Sequence, residues 1–143
     1  MEFYRTITTA LQSTQIKALQ SIMKRQQSLL KSFANAFAGI GYFFANDRNG
    51  RIHLAITLTV LAAGLAFQIL PIEWIVILLC IALVISLEML NSALEKLCDM
   101  VQPNYHATIK VIKDVSAGAV LVATIISVVI GIIIFLPKAL LLL

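Results

Sequence analysis

The feature that most constrains this chain is the near absence of charge over two long stretches. From residue 54 to 87 the only charged side chain is Glu73, and from 115 to 136 there is none. Backbone in hydrocarbon must satisfy its own hydrogen bonds, so stretches of this kind fold as membrane-crossing helices. Composition agrees, with 60% hydrophobic and only 13% charged residues where soluble domains carry about 25% charged. Cutting the first stretch at Pro71 and Glu73 leaves three spans, 52–70, 72 to about 97, and 115–136. Each is near the ~20 residues that a ~30 Å hydrocarbon core requires. The expected fold class is therefore an all-α integral membrane protein with three transmembrane helices per subunit.

Basic residues sort by side. Arg5, Lys17, Lys24, Arg25, Lys31, Arg48 and Arg51 precede the first span, Lys96, Lys110 and Lys113 flank the second connection, and the 71–73 turn has none. The positive-inside bias then predicts a cytoplasmic N-terminus, with the 71–73 turn and the C-terminus outside and Trp74 as an interface anchor. No cleavable signal peptide is apparent, because the first apolar run follows about fifty mostly amphipathic residues, and a cytoplasmic-type membrane is expected. The same bias, with anionic lipid, accounts for the net charge of +4, so no nucleic-acid partner is implied. Cys80 and Cys98 lie on one predicted helix, roughly 27 Å apart at ideal rise. They cannot bridge within the chain and read as packing residues.

Residues 1–30 form an N-terminal extension, helical or partly disordered. Residues 31–46 place Phe33, Phe37, Ile40 and Phe44 at spacings of three and four, which predicts an amphipathic surface helix in the headgroup plane. The run Asn46-Asp47-Arg48-Asn49-Gly50 stops it before the first span. The main domain is expected over 31–137, with 138–143 as a C-terminal tail.

Into the end of the second span is set a polar stripe: Glu88, Asn91, Ser92, Glu95 and Asp99, at spacings of three, four, seven and eleven from the first. These spacings share one helical face. Carboxylates at membrane depth cost a few kcal/mol even on lenient scales, and are tolerated when paired, water-lined or metal-bound. Asp47 lies at the same depth as the stripe's end, so two sources of carboxylate converge. Oxygen ligands of this kind suit a hard cation such as Mg²⁺, which keeps waters and takes one or two carboxylates plus substrate phosphates. With lysine beside them they form a set suited to phosphoryl transfer. No glycine-rich phosphate loop is present, so any nucleotide is held by helices. Two other classes fit parts of the pattern: a small ion-coupled transporter, which would want its acids nearer the midplane, and a membrane subunit without catalysis, in which the stripe is a polar network between subunits.

The run Glu88-Met-Leu-Asn91-Ser92-Ala-Leu-Glu95-Lys-Leu-Cys-Asp99 resembles the ExxNSxxExxxD pattern of the small prokaryotic diacylglycerol kinase and undecaprenol kinase family. Tyr105-His106 and Lys113-Asp114 fall at the family's distances downstream, and Asp47-Arg48-Asn49-Gly50-Arg51-Ile52-His53 resembles its approach to the first span. The resemblance covers roughly residues 31–137. It implies a homotrimer of three-span subunits in the bacterial inner membrane, each with an N-terminal surface helix, transferring the γ-phosphoryl group of ATP to a membrane lipid alcohol. By position, Glu88 is implied as the catalytic base, and Asp47 and Glu95 as the residues that hold Mg²⁺. Asn91, Asp99, Asn104, Tyr105, His106, Lys113 and Asp114 are implied around the ATP, and Arg51, Glu88 and Ala117 at the lipid substrate.

The chain departs from the family in three places. Asp47 stands where the family carries Glu, one methylene longer, and Gly50 replaces a bulky apolar residue. The basic residue usual near the start of the surface helix falls to Lys31 or Arg25. His53, with the Lys-Asp-Val-Ser-Ala-Gly-Ala-Val run from Lys113, is more similar to the undecaprenol branch than to the diacylglycerol branch. Undecaprenol is thus the expected acceptor, with diacylglycerol the alternative.

Overall fold

The computed structural model describes residues 29–141. The expectation for the N-terminal extension, Arg25 included, lies outside the described residues up to 28. All regular structure among the described residues is helical: α1 Leu29–Asn46, α2 Arg48–Ala66, α3 Pro71–Val101 and α4 Ala107–Leu140. The last three are each long and apolar enough to cross a membrane, which makes this a multi-pass membrane protein. At ideal rise α3 and α4 run to about 45 and 50 Å, well beyond a ~30 Å hydrocarbon core. The polar end of α3 and the start of α4 therefore belong to the headgroup layer or to water.

The chain divides into two units between Gly39 and Ile40. In the first, α1 carries Phe33 and Phe37 as exposed side chains. In the second, the predicted stripe shifts by one position. Ile40 is exposed and Phe44 half-buried, whereas Phe43, absent from the stripe, is buried at 4% exposure. The cause is Gly50: a Cβ there would sit 2.5 Å from the Phe43 carbonyl oxygen and 3.1 Å from its ring. Lacking a side chain, Gly50 lets the first turn of α2 press directly on the last turn of α1.

Between those helices Asp47 serves both neighbours. Its backbone N–H continues the α1 ladder to Phe43 O at 3.0 Å, and its carboxylate Oδ1 accepts from Asn49 N at 3.0 Å, so it is the N-cap of α2. At the other end of α2, Gln68 takes φ 49°. Gln68 N donates to Leu65 O and Ile69 N to Gly64 O, the paired bonds of a Schellman ending. Pro71 then opens α3, and Glu73 turns back to accept from Leu70 N at 2.6 Å.

At this turn end of the bundle Ile69, Ile77 and Ile134 form the apolar core, with Trp74, Phe67 and Phe135 against it. Trp74 packs inward: a Cβ on Gly64 would lie 2.7 Å from its ring. The ring fills the α2–α3 crossing where the sequence suggested an interface anchor. Lys138 Nζ reaches Glu73 Oε1 at 2.8 Å and ties the end of α4 to the start of α3. Elsewhere the apolar faces point outward, with Leu79, Leu83, Ile125 and Ile133 each more than half exposed. Hydrophobic burial within one chain is small, and these faces suit lipid or neighbouring helices.

Candidate active site

Glu88, Asn91 and Ser92 occupy successive turns of α3 on the face turned toward α2 and α4, and all three are buried, at 6%, 5% and 7% exposure. Their burial follows from the antiparallel register of α2 and α3. His53 and Asp47 are six residues apart on and just before α2; Glu88 and Ser92 are four apart on α3, and the pairs meet in order. His53 Nε2 lies 2.9 Å from Glu88 Oε1, and the Ser92 hydroxyl donates to Asp47 Oδ2. A carboxylate can only accept, so in the form able to act as a base Glu88 would take this bond from an imidazole N–H. The other oxygen, Glu88 Oε2, is buried and has no hydrogen-bond partner among the described residues.

Asp47 is the more heavily bonded acid. Besides Ser92 it accepts from Lys96 Nζ at 3.2 Å, and Lys96 in turn stands 5.4 Å from the centre of the Tyr42 ring, within reach of a cation–π contact. The Ser92 hydrogen bond above all, then Lys96 and the backbone N–H groups of Asn49 and Gly50, hold the Asp47 carboxyl below its ordinary value against the opposing effect of burial.

On the α4 side, Ser116 donates to Asn91 Oδ1 at 2.6 Å, and Asn91 Nδ2 donates to Glu95 Oε1 at 3.1 Å. Lys113 pairs with Asp99 at 2.9 Å, and Lys110 with Asp114 one turn away. Asp99 and Asp114 are exposed, as are Arg51, Asn104, Tyr105, His106 and Ala117. Thus this polar cluster is a set of separate links: Asp47 to Ser92 and Glu88 to His53 across the α2–α3 boundary, Asn91 to Ser116 and Asp99 to Lys113 on α4, and Glu95 to Asn91. Among the described residues the side chains of Arg51, Asn104, Tyr105, His106 and Ala117 take no part in these links.

Four residues in this cluster were not among the sequence-derived site residues. Ser92 was visible only as a member of the stripe, His53 only as a mark of one family branch, and Lys96 only as a flanking charge. Ser116 was visible only within the run from Lys113 that resembles the same branch, because its link to Asn91 crosses between helices.

Among the described residues no three His, Cys, Asp or Glu side chains gather in a metal-binding group. A site completed by water and phosphate needs only one or two carboxylates. Asp47 and Glu95, both half-buried, are carboxylate donors of the hard-oxygen kind such a site takes. Below the cluster a cleft of about 230 Å³ runs between α2, α3 and α4, from His53 at its polar end to Phe135 near the turn end.

A multi-pass helical protein with a buried, half-satisfied carboxylate over an apolar cleft, and paired acids and lysines above it, is built to handle a polar reaction at a lipid boundary. Residues 34–135 match the family described as prokaryotic diacylglycerol kinase. The chain is 42% identical over 108 residues to an undecaprenol kinase of Bacillus subtilis, covering 76% of this chain and 88% of that one. It is also 42% identical over 114 residues to a diacylglycerol kinase of Synechocystis, covering 79% of this chain and 65% of that longer protein. The chain belongs to the prokaryotic diacylglycerol kinase family. It is a membrane enzyme, a lipid phosphotransferase.

Proposed function

We propose that this lipid kinase transfers the γ-phosphoryl group of ATP to undecaprenol. The observation that carries the reading is Glu88, buried with one oxygen held by His53 and the other without a partner among the described residues, a state suited to receiving a proton from an acceptor hydroxyl. Glu88 takes that proton. The alcohol oxygen bonds to the γ-phosphorus as the bond to the β,γ-bridging oxygen breaks, ADP leaves, and the proton passes to water. Lys113, 2.9 Å from Asp99, is a counter-charge for phosphate, with Asn91, Asp99, Asn104, Tyr105, His106 and Asp114 around the nucleotide. Arg51 and Ala117 face the lipid.

Asp47 and Glu95 would hold Mg²⁺, which neutralises phosphate charge when bound. The outward apolar faces of α3 and α4 favour assembly, and the reading takes the family's homotrimer, set in the bacterial inner membrane with the N-terminus cytoplasmic. Undecaprenol is preferred because the relative bearing that name is matched over most of its length, and because His53 and the run from Lys113 resemble that branch.

The test is purified protein in detergent with ATP, Mg²⁺ and either undecaprenol or diacylglycerol. Phosphorylated undecaprenol should form with the higher kcat/KM. Preference for diacylglycerol reassigns the acceptor, and a preparation inert toward both defeats the reading.

A further inference from the structure

We infer that His53 positions the catalytic base: its imidazole fixes Glu88 through Oε1, so that Oε2 alone is presented to the acceptor hydroxyl. The inference rests on the role proposed above for Glu88. Three observations meet at this residue. His53 Nε2 lies 2.9 Å from Glu88 Oε1. Both side chains are largely buried, at 16% and 8% exposure. His53 also forms the polar end of the cleft, whose walls include Val60, Ile77, Ile81 and Val84.

A glutamate has three side-chain torsions, and a carboxylate without a partner would swing between rotamers. A hydrogen bond to one oxygen removes that freedom and splits the two oxygens by role. Base catalysis depends on such placement, and a misplacement of about 1 Å costs on the order of a hundredfold. An acceptor whose hydrocarbon lies in the cleft packs against His53, which bonds Glu88. The histidine therefore joins the seating of the chain to the placement of the proton acceptor.

The experiment compares wild type, His53→Ala and His53→Gln in detergent with ATP, Mg²⁺ and undecaprenol, recording kcat, the KM for ATP and thermal unfolding. Glutamine keeps an N–H donor on a side chain of similar reach. His53→Ala should lower kcat about ten- to a hundredfold with the KM for ATP unchanged, and His53→Gln should recover most of the loss. Equal losses in both variants, each folded as wild type, would overturn the positioning role, as would a kcat in His53→Ala equal to wild type. Wild type inert toward lipid alcohols would instead defeat the kinase reading itself, and this inference with it.

Discussion

The buried hydroxyl of Ser92, in the middle of the polar stripe on α3, donates to the carboxylate of Asp47, which caps α2. One side chain thereby starts a helix and fastens it to its neighbour. Hydrogen bonds to charged groups contribute roughly 1.5–3 kcal/mol, so Ser92→Ala should lower stability by about that much, read as thermal unfolding in detergent.

The same contact sets an acid dependence. The folded state lowers the Asp47 pKa, so its stabilising effect is complete above the ordinary carboxylate value of about 3.9 and is lost as pH falls through the lowered value. Between those limits wild type should lose stability on acidification more steeply than Ser92→Ala. Equal slopes in unfolding scans would show that the Asp47 contact carries no such linkage.

Glu88→Gln keeps an oxygen for His53 and removes the basic carboxylate. Transfer should fall by about 10²–10⁴ while helix content by circular dichroism and oligomer size stay as in wild type. Retained turnover would remove Glu88 from the role of base.

Asp47→Asn preserves a capping side chain and reduces the charge offered to a cation. Chelation should stop transfer in wild type and added Mg²⁺ restore it. The variant should need roughly tenfold more Mg²⁺ for half-maximal rate, with the KM for the lipid unchanged. An unaltered Mg²⁺ titration would exclude Asp47 as a ligand.

Two backbone positions give opposite signs. A Cβ on Gly50 would meet the Phe43 carbonyl at 2.5 Å, and Gly50→Ala should destabilise by about 1–3 kcal/mol. Gln68 holds a left-handed conformation at the end of α2, where glycine avoids the Cβ penalty. Gln68→Gly should therefore stabilise by about 0.5–1 kcal/mol. Unfolding temperatures of the two variants on the same side of wild type would contradict this account.

Much of the molecule was legible before its folding. Charge-free stretches dictate helices because hydrocarbon offers no other partner for the backbone, and the spacing of Glu88, Asn91, Ser92 and Glu95 places them on one face by helical geometry alone. Local sequence could not say what that face meets. The register of α2 against α3 decides that His53 holds Glu88 and that Ser92 holds Asp47. The fit of α4 decides that Ser116 holds Asn91.

Gly50 shows the same division. Its departure from the family was plain in the chain, but its effect, burying Phe43 in place of the predicted stripe, depends on two helix ends meeting within van der Waals distance. Sequence by itself determined helices, their amphipathy and which acids share a face, because those follow from periodicity and solvent. Tertiary structure alone decided which donor satisfies which acid and which oxygen of Glu88 has none among the described residues, because those depend on distances between residues far apart in the chain.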